Sequence, residues 1–323
     1  MLKPSKHNII APVKEGVENI IVNVLTGNAD ILSEKELSLL NHSASGNYPT
    51  DFIEKGYVAD PLQEDLDYRL KYIEFLEERE KEEMQLFFVP TYACNFNCSY
   101  CYQSGYPDKN LSFSREITDA FFTFIGKQFA HRKKYITLFG GEPLLNSKSY
   151  KKSLSYFIEK AVAVKLDIAV VTNGYFLDQY LDIFDPAFTR EIQITLDGTR
   201  DVHNRRRKLK NNSPTFDKIV ENIDACLQKQ IPLNLRMVVD KENINDLPAL
   251  ADFAIEKGWA DHPLFKTQIG RNYELHYCQD GQSKLFNRLS LYQELLGLIK
   301  KHPQIVRFHK PAFSVMKFLQ ENG

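Results

Sequence analysis

The segment Leu86-Phe87-Phe88-Val89-Pro90-Thr91-Tyr92-Ala93-Cys94-Asn95-Phe96-Asn97-Cys98-Ser99-Tyr100-Cys101 opens with a β-prone run and leads directly into three of the chain's five cysteines. Leu86 to Val89 reads as a strand. The thiols therefore stand in a loop at the carboxyl end of a strand, where open α/β and barrel folds keep their active sites. A 4Fe-4S cluster ordinarily takes four thiolates, one per iron. Three thiolates leave one iron open to a substrate or cofactor. The competing occupant is zinc, which is tetrahedral and needs a fourth Cys, His or carboxylate. No paired ligand motif lies nearby and no second Cys-x-x-Cys follows, so the spacing favours a cluster on Cys94, Cys98 and Cys101.

Outward from this loop, a second strand (Tyr135 to Phe139) runs into Gly140-Gly141-Glu142-Pro143. Two glycines let a backbone approach a ligand closely, and a carboxylate beside them can receive an ammonium group. By itself the stretch reads as a tight turn before a helix, with Pro143 near the helix start. Four more strands are predicted at Asp167 to Val171, Glu191 to Leu196, Leu233 to Val239 and Pro263 to Thr267. Amphipathic segments lie between them, at Ser114 to His131, Ser147 to Lys165, Leu177 to Phe184, Pro214 to Lys229 and Asp246 to Lys257. Strands alternating with helices imply an α/β fold of parallel βαβ units over residues 85–275. Two further helices, Lys284 to Lys301 and Pro311 to Glu321, make a helical extension over 276–323.

On the N-terminal side, Asn8 to Val13 and Ile20 to Leu25 flank a turn at Lys14-Glu15-Gly16 and read as a hairpin. Ser33 with Glu36 is a capping box opening a short helix. A second short helix from Thr50 stops at Gly56, before a last strand at Tyr57-Val58. Residues 1–60 are thus the size of a winged helix. Residues 61–84 read as a charged linker helix whose stripe Leu62, Leu66, Leu70, Ile73 and Leu76 packs on a neighbour.

Composition narrows the function. Apolar residues at 43% and charged residues at 26% are those of a soluble globular protein. Forty-one basic against 42 acidic side chains leave no field toward nucleic acid or anionic lipid. The basic run Arg205-Arg206-Arg207-Lys208 reads as a solvated loop. Met1-Leu2-Lys3-Pro4-Ser5 is no signal peptide, and no apolar run approaches the ~18 residues of a membrane span, so a cytoplasmic protein is expected. Cys226 shares an apolar helix face with Ile219, Ile223 and Leu227, as a buried inert thiol does. Cys278 is isolated.

Taken together, the cysteine loop and the Gly-Gly-Glu-Pro turn resemble the radical S-adenosylmethionine (SAM) enzymes, which carry both in this order on adjacent strands. The resemblance implies a partial (β/α)6 barrel whose cofactors are a 4Fe-4S cluster and SAM. The open iron chelates the amino and carboxylate groups of SAM. Cluster reduction cleaves SAM into methionine and a 5'-deoxyadenosyl radical that takes hydrogen from the substrate. A finer resemblance points to the branch of anaerobic sulfatase maturases and peptide-modifying enzymes with a C-terminal SPASM domain. It rests on Tyr100, Thr172-Asn173-Gly174, Thr195-Leu196-Asp197-Gly198, His203 with the arginines at 205 to 207, Val238-Val239-Asp240 and Asn243. Carried over, Gly140, Gly141 and Glu142 hold the SAM amino group, Tyr100 contacts the adenine, and Thr195 the ribose or carboxylate region. Arg207 takes the carboxylate, with Arg206 one register away. Family members usually have Ser at the position of Thr195. Asn173 reads equally as a strand cap. No residue is assigned to catalysis.

The branch carries further C-terminal cysteines for auxiliary clusters, and none follows Cys278. A truncated chain or an enzyme working with one cluster is expected. The implied activity is modification of a peptide or protein, with residues 1–60 as a module for a leader peptide and flavodoxin or ferredoxin as electron donor. The alternatives are a formylglycine-forming sulfatase maturase, and a non-catalytic peptide-binding protein with a structural metal.

Overall fold

The computed structural model describes every residue except 15–17, 43–46, 104, 107–112, 274–283 and 310–323. Two compact units are present, one built on Met1–Glu82 and the other on Glu83–Pro311. Cys278 and the expected helix Pro311 to Glu321 lie outside the described residues.

In the first unit, β1 (Lys3–Pro4) pairs antiparallel with β5 (Val58–Ala59), while β2 (Asn8–Lys14), β3 (Glu18–Asn23) and β4 (Ala29–Ser33) form an antiparallel sheet in that order. The expected hairpin therefore gains a third strand. Its source is Asn23, 1% exposed, whose backbone N–H donates to the Asn28 carbonyl and closes a second turn through Gly27 at φ 85°. The side-chain amide of Asn23 also donates to Ser5, Asn8 and the Gly56 carbonyl. Helix α1 (Glu34–His42) opens on the capping box: Ser33 N–H donates to Glu36 Oε2 at 2.8 Å and Glu36 N–H to Ser33 Oγ at 3.3 Å. With α2 (Thr50–Glu54) it covers a core of Ile21, Leu32, Leu40, Phe52, Tyr57 and Val58.

Helix α3 (Pro61–Lys81) departs from expectation. Leu62, Leu66, Leu70 and Ile73 are 79%, 53%, 61% and 53% exposed and Leu76 is half-buried, so most of the predicted stripe is not packed. The helix buries Glu64 instead, which accepts a hydrogen bond from Ser5 Oγ. The amphipathic spacing was real, but a polar contact fixes which side faces inward.

The second unit is a six-stranded parallel sheet, β6 (Met84–Phe88), β7 (Lys134–Leu138), β8 (Ile168–Thr172), β9 (Thr189–Thr195), β10 (Leu233–Val239) and β11 (Phe265–Arg271), in sequential order. Sequential order with every pair parallel is the partial barrel expected. The connecting helices are α4 (Arg115–Gln128), α5 (Lys148–Ala163), α6 (Arg200–Arg206), α7 (Phe216–Gln228) and α8 (Leu247–Glu256), with α9 (Arg288–Lys301) and α10 (Ile305–Phe308) after the last strand. Aromatic packing anchors the first strand: Phe88 stacks on Phe157 at 4.3 Å and meets Phe113 and Phe121 edge-on at 5.3 and 5.0 Å.

Two local expectations are corrected. Leu177 to Phe184 forms only a 3₁₀ turn at Leu177–Gln179, although Leu177, Tyr180, Leu181 and Phe184 are all buried. The segment is too short to repay helix nucleation, and Pro186 disfavours a helical conformation at Asp185. Conversely, the arginine run is not a solvated loop, because α6 carries it inward and leaves Arg206 6% exposed. Among the described residues no helix is long and apolar enough to cross a membrane.

Candidate active site

The cysteine loop is pinned to the segment leaving α6. Asn97 and Ser99 N–H donate to the carbonyls of Lys208 and Arg206 at 2.8 and 3.0 Å, Lys210 N–H donates to the Asn95 carbonyl at 2.9 Å, and Phe96 bridges to Leu209. The glycine turn presses on the loop from the other side. Gly140, at φ 137°, lies so close that a Cβ would run into the Thr91 carbonyl, and one at Gly141 would meet the carbonyls of Tyr92 and Ala93. Only glycine permits that approach. Gly141 and Glu142 N–H then donate to Thr91 and Ala93 at 3.0 and 2.8 Å.

These elements enclose a cavity of about 560 Å³ at the carboxyl ends of the strands. Cys94, Cys98, Cys101, Tyr100, Gly140, Gly141, Thr195 and Arg207, eight of the nine residues singled out above for cluster and SAM, line it together. The ninth, Glu142, is 1% exposed and lies behind the wall. Its carboxylate accepts hydrogen bonds from Thr172 Oγ1 at 2.5 Å, Asn173 N at 2.7 Å and Leu144 N at 2.8 Å. Burial pushes its pKa up to about 7 against those donors. Three of roughly four acceptor positions are thus used within the protein, leaving one for an ammonium group. Asn173 is similarly committed, its amide donating to Asn95 Oδ1 at 2.8 Å.

Burial pushes the Cys94 thiol up to about 12, with the Glu142 charge adding to it, and burial also raises Cys98 against the pull of Arg207. These thiols hold their protons until a metal displaces them. Arg207 Nη1 donates to the Tyr100 hydroxyl at 2.7 Å, whereas Arg207 Nε and Asn95 Nδ2 are buried donors without a partner among the described residues. Three thiols on one cavity with unpaired donors beside them suit an anionic iron-sulfur cluster and a carboxylate. Cys226 does not join them. It is buried, its thiol 3.8 Å from the Ile231 carbonyl.

The two candidate arginines separate. Arg206 is directed away from the cavity into a polar core: Nη1 and Nη2 donate to the two oxygens of Asp240 at 3.1 and 2.9 Å, and Nε to Asp197 at 3.4 Å. Both aspartates are fully buried. Asp197 accepts from Val238 N, and the Asn243 amide ties the Asp197 and Val238 carbonyls together. Deeply buried His203 completes the core, held between Asp197 N and Thr215 Oγ1 at 3.3 and 3.1 Å, with its pKa lowered well below 6.5 by burial and the two arginines. The arginine at the cavity is therefore Arg207.

The radical SAM superfamily profile matches residues 88–254, half of the chain. The chain belongs to the radical SAM superfamily. It is a radical SAM enzyme, and its cofactors are SAM and a 4Fe-4S cluster. GTP 3',8-cyclase of Campylobacter fetus is 33% identical over 175 residues, 52% of this chain and 51% of that one. Fe-coproporphyrin III synthase of Methanosarcina barkeri is 25% identical over 169 residues, 52% of this chain and 40% of that one. The chain spans about half the length, or less, of these curated relatives. Among solved structures, anSMEcpe with bound AdoMet superposes with a TM-score of 0.56 at 18% identity, covering 75% of this chain and 62% of that one. That likeness is one of radical SAM fold.

Among the lining residues that escaped the sequence reading are Gln193, Arg236, Arg271 and Asn272. The signal was present on β10, where Arg236 and Val238 share the lumenal face two residues apart and Arg236 is the one charged residue of the strand.

Proposed function

We propose that this radical SAM enzyme modifies a side chain of a peptide or protein, with recognition of the chain outside the barrel. The observation that carries the reading is the single cavity shared by the three thiols, the glycine turn, Tyr100, Thr195 and Arg207. At about 560 Å³ it has the size of a site for one small molecule. With cluster and SAM inside, it admits the reacting group of a substrate and little more, which suits a side chain entering from a larger body.

In this reading Cys94, Cys98 and Cys101 hold the cluster, and Gly140 and Gly141, backed by Glu142, orient the SAM amino group. Tyr100 meets the adenine, Thr195 the ribose, and Arg207 the carboxylate. A cluster bound there would supply the one-electron reduction of SAM, with flavodoxin or ferredoxin as electron donor. The protein's own contribution is placement: the tight contact between glycine turn and cysteine loop fixes SAM against the cluster site.

Strand β2 lies at a sheet edge and exposes Ile9 and Val13 at 57% and 56%. An edge of this kind accepts an added strand, although Pro12 removes one donor from the ladder. A leader peptide held there raises the effective concentration of its modified region at the barrel.

A second reading, a cyclase acting on a purine nucleotide, is favoured by the 33% identity to GTP 3',8-cyclase. The test is to incubate anaerobically reconstituted enzyme, SAM and dithionite with GTP in one arm and with the short peptides encoded beside the gene in another. A mass change in a peptide supports the proposal. Consumption of GTP with unaltered peptides refutes it.

A further inference from the structure

The cationic lining of the cavity exceeds what SAM needs. Arg207, Arg236 and Arg271 face it, and among the described lining residues there is no Asp, Glu or Lys. SAM brings one carboxylate, which Arg207 accounts for. Arg236 and Arg271 stand on β10 and β11, at the side of the sheet away from the strand that leads into the cysteines. Neither has an ion-pair partner among the described residues, and Arg236 Nε is buried with no hydrogen bond.

Both side chains are nonetheless positioned. The Arg236 guanidinium lies over Gly270, where a Cβ would come within 2.8 Å of Nη2 and 2.9 Å of Nε, so glycine at 270 makes room for it. Arg271 donates from Nη1 to the Phe286 carbonyl at 2.8 Å and from Nη2 to the Tyr273 hydroxyl at 3.0 Å, with its guanidinium 4.6 Å from the Tyr273 ring centre. Two of its five donors are used, which leaves others for a ligand. Both side chains are half-buried at the cavity wall, and a guanidinium fork with unused donors matches the oxygens of a carboxylate or phosphate.

We propose that Arg236 and Arg271 form a subsite for an anionic group of the substrate, an acidic side chain in the case of a peptide, docking it on the β10–β11 side of the cavity. This rests on reading the cavity as the radical SAM active site. The same oxyanion chemistry could come from the phosphates of a nucleotide, so the probes separate the two sources.

The test uses the reconstituted holoenzyme with SAM bound and calorimetric titration with tri-glutamate, tri-glutamine and pyrophosphate. Tri-glutamate or pyrophosphate should bind while tri-glutamine does not, a comparison needing no variant. Preference for tri-glutamate assigns a carboxylate source and preference for pyrophosphate a phosphate source. Arg236→Gln and Arg271→Gln should each weaken the bound anion about tenfold or more, with partial recovery in Arg236→Lys, and the exposed Arg205→Gln should leave binding unchanged. Equal binding of charged and neutral tripeptides, or no binding of either anion up to roughly 10 mM, overturns the inference. So does an equal loss of SAM affinity in the two glutamine variants, which would assign both arginines to the cofactor. Iron content and SAM cleavage of the wild type are read on the same preparation. Their absence refutes the reading of the cysteine loop, whereas a preparation that has both but ignores charge refutes the subsite alone.

Discussion

Arg206 and Arg207 are adjacent in sequence, and replacing each by Met should produce opposite phenotypes. Arg206 is the only cation within hydrogen-bonding distance of Asp197 and Asp240 among the described contacts, and both carboxylates are 0% exposed. Arg206→Met leaves two buried carboxylates with their neutral hydrogen-bond donors but without the cation that pairs with them. Breaking a buried pair from one side costs about 3–5 kcal/mol, a large share of the roughly 5–15 kcal/mol that holds a domain together. Arg207→Met removes one charge-assisted donor to the Tyr100 hydroxyl and the cavity-facing cation, but among the described residues Arg207 makes no ion pair with a carboxylate. Its main effect should fall on SAM, where a charge-assisted hydrogen bond of about 1.5–3 kcal/mol corresponds to roughly 10- to 100-fold in Kd. The assay pairs anaerobic urea unfolding, followed by circular dichroism, with equilibrium SAM binding, and exposed Arg205→Met serves as the reference at about ±0.5 kcal/mol. An Arg206→Met midpoint equal to that of the reference would show that the buried aspartates do not need their cation. A SAM Kd lost in Arg206→Met but kept in Arg207→Met would reverse the assignment.

Replacing Cys94, Cys98 and Cys101 together by Ala should abolish the brown iron-sulfur chromophore and reduce bound iron from about four per chain to background; full iron content in the triple variant would refute the ligand assignment. His203 predicts a pH effect in the apoprotein. Its pKa lies well below 6.5 when folded, so the unfolded chain takes up a proton first and stability falls below pH 6.5 by about 1.4 kcal/mol per unit. Above that pH its contribution is fully present, and His203→Gln should show a correspondingly shallower slope between pH 6 and 5 in urea titrations. Deleting residues 1–60 should leave substrate-free SAM cleavage intact while lowering peptide modification, with partial recovery when the module is added in trans; loss of both activities with a misfolded product would make the segment structural.

The strands and most helices of the barrel were legible in the sequence because each is built from a local pattern: β-branched runs such as Ile168–Thr172, and amphipathic turns such as Phe216–Gln228 with its buried Ile219, Ile223 and Cys226. The cysteine loop and the glycine turn were legible for another reason. Their chemistry needs particular residues at particular spacings, and Gly140 and Gly141 are required where two backbones touch.

What the sequence could not settle was direction. Arg206 and Arg207 differ by one position and by no local property, yet α6 and the turn after it send one guanidinium to two buried aspartates and the other to the cavity. Glu142 reads from sequence as a ligand for an ammonium group, and tertiary packing spends most of its acceptor capacity on Thr172, Asn173 and Leu144. The apolar stripe of α3 was found and its burial was not, since a periodicity states which residues share a face but not what that face meets. Arg236 and Arg271 come together only because β10 and β11 pair in parallel and Gly270 leaves space between them. Identity and spacing along the chain determined the cofactors, whereas strand pairing and burial decided which side chains surround them.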